Sequence, residues 1–153
     1  MTPPSAHPPL RVLIVDDQRD MLMTLGILLR SEGMEAQLAQ RGTEVEATVE
    51  AFRPDVVLLD IEMPDRNGLQ VAMDLVQRYG ERCPVLIAVT GHNSEAARRL
   101  TAKSGFRHHV AKPCDFDEML RLLASIERPG AADVKNPGGG TSAPGGRPAP
   151  TSG

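Results

Sequence analysis

The chain is predicted to fold as an α/β protein, a doubly wound five-stranded parallel sheet with five helices. Strand-like and helix-like segments alternate five times with short connections, and such a series implies parallel pairing, right-handed crossovers and helices on both faces. The first, third and fourth strand candidates are continuous apolar runs, as expected of strands covered on both sides. Chemically able side chains stand at the ends of these runs, where open α/β sheets bind their ligands.

The elements follow in order. Strand 11–15 contains Val12-Leu13-Ile14-Val15 and runs into Asp16-Asp17. Helix 19–32 presents Leu22, Leu25, Leu28 and Leu29 on one face and stops before Gly33. Strand 34–39 alternates apolar and polar residues, so one face is wetter and it suits a sheet edge. A capping-box pattern, Thr43-Glu44-Val45-Glu46, opens the second helix, whose stripe is Val45, Val49 and Phe52. Strand 55–60 ends in Asp60, followed by Met63-Pro64 and Asn67-Gly68. Helix 67–79 starts at Asn67 and uses Leu69, Ala72, Met73 and Val76. Strand 84–89 ends before Thr90. Helix 94–104 has Leu100 and a few alanines but is otherwise polar, so it packs weakly and is a candidate for movement or partner contact. Strand 106–110 precedes Lys112-Pro113, and helix 115–127 carries Phe116, Met119, Leu120, Leu123 and Ile126. The apolar runs predict that the first, third and fourth strands are central.

Composition narrows the function classes. The chain has 153 residues, 41% hydrophobic and 3% aromatic, with a formal net charge of −3. That fits one domain with an aliphatic core. There is no basic run, which argues against nucleic acid or an anionic membrane as partner. Apolar runs reach about five residues, far below the ~20 that span a bilayer, so no membrane insertion is expected. Cys83 and Cys114 form no CxxC; without a secretory signal they read as reduced thiols in a cytoplasmic protein. Residues 1–9 hold four prolines and read as a flexible lead. Residues 129–153 hold five prolines and seven glycines and read as a disordered tail. The expected domain is 10–128, with no output domain after it, and truncation after Arg128 is expected to leave folding unchanged.

Three carboxylates, a hydroxyl and an ammonium at strand ends suggest a divalent-metal and phosphoryl site. Taken alone, Asp16-Asp17 reads as a solvated turn or helix cap, Thr90 as a β-branched strand end and Lys112 as a surface lysine. Together, Asp16-Asp17, Asp60 with Met63-Pro64 and Gly68, Thr90, and Lys112-Pro113 resemble the receiver domain of two-component response regulators over roughly residues 10–127. The resemblance implies the flavodoxin-like strand order 2-1-3-4-5, in agreement with the edge reading of strand 34–39. The run Gly105–Pro113 looks most like receivers attached to, or serving, hybrid sensor kinases.

The resemblance implies a role for each residue. Asp60 accepts a phosphoryl group from a phosphohistidine on a sensor histidine kinase or a histidine phosphotransfer protein. A carboxylate attacking an anionic phosphorus needs a bridging cation. Mg2+ would be held by Asp17 and Asp60, by Asp16 through water, and by the backbone carbonyl of Glu62. Lys112 pairs with a phosphoryl oxygen, Thr90 hydrogen-bonds the arriving group as half of a switch, and Pro113 shapes a loop that in the family commonly has a cis peptide. Glu62 and His92 sit where the family tunes phosphoryl lifetime. His109 stands where many receivers have a switch aromatic; it reads as a moving histidine or as a packed polar residue. Adjacent His108 and His109 point to opposite faces, against a zinc site. Cys114 reads as a small core residue.

The expected function is a stand-alone response regulator, phosphorylated at Asp60, that changes its surface around 94–127 and contacts an unidentified downstream protein. It would not be an enzyme beyond catalysing its own phosphotransfer and autodephosphorylation. Alternatives are a phosphorelay intermediate or a phosphate sink for a hybrid kinase. A remote alternative is an aspartate-nucleophile phosphatase for small molecules. Such enzymes usually carry two aspartates flanking one residue, whereas Asp16 and Asp17 are adjacent.

Overall fold

A computed structural model describes residues 8–126. The expected lead at 1–9 falls largely outside these residues, as does the tail at 129–153. Five parallel strands form one sheet in the order β2-β1-β3-β4-β5: β1 Arg11–Val15, β2 Glu35–Ala39, β3 Val56–Asp60, β4 Val85–Thr90 and β5 His108–Ala111. The helices are α1 Arg19–Ser31, α2 Val45–Phe52, α3 Gly68–Tyr79, α4 Glu95–Lys103 and α5 Phe116–Ala124.

The apolar runs account for which strands are central. β3 and β4 are buried at every position, and β1 at all but its first residue. Residues alternate across the sheet, so each central strand feeds two cores. Leu13, Val15, Val57, Leu59, Leu86 and Ala88 pack with Val45, Val49, Val71 and Leu75 of α2 and α3. Val12, Ile14, Val56, Leu58, Ile87 and Val89 pack with Leu22, Leu25 and Leu29 of α1 and Met119 and Leu123 of α5. Each such Leu or Val contributes roughly 1.5–3 kcal/mol of burial.

Several local expectations need correction. Thr43 caps no helix: Gly42–Glu44 is a 3-10 turn, and α2 follows with no side-chain cap bond. Asp65 takes the backbone N–H groups of Gly42 and Thr43 at 3.1 Å each, so a partner from another loop satisfies that turn. In α3 the buried apolar residues are Val71, Ala72 and Leu75, while Met73 and Val76 are exposed; the inward stripe lies one position off the expected one. Leu28 is half-buried. β5 begins at His108, and Phe106 is instead a core residue in the loop before it. α5 ends at Ala124. Asn67, Ser94 and Asp115 accept backbone N–H groups at the starts of α3, α4 and α5. α4 is the loosely held helix it was expected to be, since only Thr101 is buried and Leu100 is 52% exposed.

Candidate phosphoryl-transfer site

Parallel strands place all their carboxyl ends on one edge, and the side chains there converge. Asp16 and Asp60 are buried, and Asp17 is exposed beside them. One carboxylate oxygen from each can be chosen so that all lie within 4.8 Å of one another. Three hard oxygen donors at this spacing fit Mg2+, which takes few protein ligands and keeps waters; the exposed Asp17 leaves a solvent side for them. Lys112 closes the cluster, its Nζ 3.0 Å from Asp16 Oδ2 and 3.3 Å from Asp60 Oδ2.

Local backbone geometry aims these groups. Asp16 Oδ1 accepts from the N–H of Gln18 at 2.9 Å, and Asp60 Oδ1 from the N–H of Glu62 at 3.1 Å. Both carboxylates are therefore pinned by the turn that follows them. The Lys112-Pro113 peptide is cis, and the Lys112 N–H donates to the Thr90 carbonyl at 2.9 Å. Gly68 packs so close to the end of β3 that a Cβ there would stand 2.8 Å from the Asp60 carbonyl oxygen and from Ile61 Cα.

The electrostatics are unbalanced toward negative charge. Burial raises the pKa of Asp60, and the Asp16 charge adds to the rise, against the Glu62 N–H and Lys112. Burial alone would depress Lys112, yet Asp16 and Asp60 overcome it and hold the ammonium charged more firmly than usual. A site that concentrates carboxylates around one ammonium is poised to gain from a divalent cation.

Thr90 is buried at the end of β4, and its hydroxyl donates to Glu62 Oε2. It also accepts from the His92 N–H at 3.0 Å. The ring of His92 lies 3.5 Å from Glu62. His109 does not line the carboxylate cluster. Its ring spans from the His92 carbonyl, 3.1 Å from Nε2, to the Thr101 hydroxyl, 3.2 Å from Nδ1. The Thr101 hydroxyl also donates to the Arg98 carbonyl at 2.9 Å, and burial and the nearby Arg98 lower the pKa of His109. Cys83 and Cys114 pack against opposite cores, and burial pushes the Cys83 thiol up to about 11. Sequence reasoning missed Asp65, whose capping of a distant turn leaves no local pattern.

The response regulator receiver domain family matches residues 12–124, and this chain belongs to it. Members are signalling modules of two-component systems rather than metabolic enzymes. The chain is 34% identical over 116 residues to the CAI-1 autoinducer sensor kinase/phosphatase CqsS of Vibrio cholerae, covering 75% of this chain and 17% of that protein. It is 33% identical over 120 residues to the response regulator MprA of Mycolicibacterium vanbaalenii, covering 78% of this chain and 51% of that protein. It thus spans about half of MprA and less than a fifth of CqsS. It is 30% identical over 116 residues to the protein PilH of Pseudomonas aeruginosa, covering 76% of this chain and 96% of PilH.

Solved structures agree on the fold. A CheY-like receiver domain from Methanospirillum hungatei superposes with a TM-score of 0.70 at 26% identity, covering 76% of this chain and 91% of that one. A chain from the co-crystal structure of the Saccharomyces cerevisiae histidine phosphotransfer protein Ypd1 with the receiver domain of Ssk1 gives 0.72 at 21% identity, covering 78% and 90%. Among the described residues no helix is long and apolar enough to cross a membrane.

Proposed function

We propose that the chain is a cytoplasmic response regulator that takes a phosphoryl group onto Asp60 and signals by phosphorylation-dependent protein contact. The observation that carries this reading is the Lys112 ammonium lying within 3.3 Å of both Asp16 and Asp60, at the ends of three different strands. In the transfer, a carboxylate oxygen of Asp60 forms a bond to phosphorus as the donor histidine's P–N bond breaks. A cation held by Asp16, Asp17, Asp60 and the Glu62 carbonyl would screen the meeting of these anions. Lys112 supplies a fixed positive charge for a phosphoryl oxygen. Thr90 supplies a hydroxyl donor from the neighbouring strand.

A sensor histidine kinase or a histidine phosphotransfer protein is the proposed donor, and the pairing of Ypd1 with the Ssk1 receiver supports it by analogy of fold. PilH, matched over nearly its whole length, supports a stand-alone regulator. The likeness to CqsS favours a second reading, phosphate exchange with a hybrid kinase.

The test is an intact mass after incubation with Mg2+ and acetyl phosphate, with Asp60→Asn in parallel. A phosphoryl mass gain in the wild type alone is expected. A gain in both proteins would reassign the acceptor. No gain in either, together with no Mg2+-dependent beryllofluoride binding, would defeat the reading.

A further inference from the structure

The Thr90 hydroxyl carries one proton, and that proton is already committed. It goes to Glu62 Oε2, while the oxygen lone pairs receive the His92 N–H at 3.0 Å. The other Glu62 oxygen lies 3.4 Å from the Gly91 N–H. A phosphoryl oxygen on Asp60 would need the same Thr90 proton. A hydroxyl has a single donor, so Glu62 and the phosphoryl group are mutually exclusive acceptors for it.

We propose that the Glu62 side chain is a positioning residue that holds Thr90 in the unphosphorylated protein and is displaced from it when Asp60 becomes phosphorylated. The inference rests on the receiver reading above. It assigns Glu62 a role in setting the threshold of the switch, distinct from any effect on phosphoryl lifetime.

The consequence reaches α4 through contacts already present. Gly91 and His92, whose backbone N–H groups face Glu62 and Thr90, follow Thr90 directly. The carbonyl of His92 accepts from His109 Nε2 at 3.1 Å, and His109 Nδ1 meets the Thr101 hydroxyl at 3.2 Å. Thr101 is the buried residue of a largely exposed helix. A change at Thr90 therefore moves the loop that positions His109, and His109 touches the one buried anchor of α4. This route needs no swinging aromatic, which explains how a chain with histidine at position 109 can still report the state of Asp60.

A state that must first release Thr90 binds a phosphoryl analogue more weakly, by the fraction of molecules in which the hydroxyl is free. The exposed Glu62 can be changed without touching the core. Glu62→Met removes the acceptor at similar length, whereas Glu62→Gln keeps an acceptor oxygen and removes the charge.

The first measurement is ligand-free NMR on the full chain. In Glu62→Met, the Thr90 γ-methyl carbon and the Thr101 amide are expected to shift, with Glu62→Gln staying nearer the wild type. The second is titration with beryllofluoride and Mg2+. Glu62→Met should bind about tenfold more tightly than wild type, as loss of a charged hydrogen bond permits, and the gain should fall below about twofold in a Thr90→Val background. Unmoved Thr90 and Thr101 resonances would overturn the proposal. So would a gain that persists undiminished in Thr90→Val, which would mark plain charge repulsion. Failure of every variant to bind beryllofluoride would overturn the receiver reading itself, and the ligand-free spectra would still decide whether Glu62 holds Thr90.

Discussion

The Lys112 ammonium stands 3.3 Å from Asp60 Oδ2, although Lys112 follows β5 and Asp60 ends β3, strands that are not neighbours and have β4 between them. The lysine spans this gap because its side chain is long and its backbone is tied to the Thr90 carbonyl. Lys112→Ala removes a cation that lies against two buried carboxylates. Leaving buried charge unpaired is costly, and the partial exposure of Lys112 reduces the effect. A loss of about 1–2 kcal/mol at pH 7 is expected in urea unfolding. Phosphorylation by acetyl phosphate should also slow about tenfold or more.

Asp60 destabilises the fold it serves. Its raised pKa means that the folded state binds its proton more tightly than the unfolded state does. Its favourable contribution is full below the unfolded value and is lost as pH rises through the folded one. At pH 7 the buried carboxylate is a net cost, so Asp60→Asn should stabilise the metal-free protein by about 0.5–2 kcal/mol. Added Mg2+ should raise the melting temperature of the wild type and do so much less for the variant. Thermal unfolding with and without Mg2+ measures both.

His109 should give stability the opposite pH dependence. Its folded pKa lies below the ordinary 6.5, because of burial and Arg98. The unfolded state then binds more protons between the two values, and stability falls as pH drops through that window. His109→Asn should flatten the decline between pH 7 and 5 relative to wild type. The comparison isolates His109 from Asp60, whose contribution runs the other way.

Gly68 is required by close approach. Any Cβ would meet the Asp60 carbonyl and Ile61 Cα at 2.8 Å, and neither is a flexible side-chain end. Gly68→Ala should cost roughly 1–3 kcal/mol through overpacking. It should also weaken beryllofluoride binding, because relief of the clash moves the end of β3. Denaturant unfolding and a binding titration test the two effects.

The fold was legible because its two signals are local. Continuous apolar runs such as Val56–Leu59 mark central strands, and caps such as Asn67 and Asp115 mark helix starts. Where the sequence misled, a distant partner had replaced a local one. Thr43 looked like a cap, but Asp65 satisfies that turn from 22 residues away. Met73 and Val76 looked inward, but a helical stripe read without its partner can be rotated by one position, and the sheet selects Val71 and Leu75. Phe106 looked like a strand residue, yet it packs in the core from a loop.

The sequence by itself determined the class of fold, the central strands, and which carboxylates, hydroxyl and lysine stand at strand ends, since strand and turn patterns depend on near neighbours. Only the tertiary structure decided what those groups touch. It set Lys112 against Asp16 and Asp60, gave the Thr90 proton to Glu62, and placed His109 between His92 and Thr101 rather than in the carboxylate cluster. Hydrogen bonds across 28 or 17 residues of chain depend on strand order and on the loops that follow, and no local pattern encodes them.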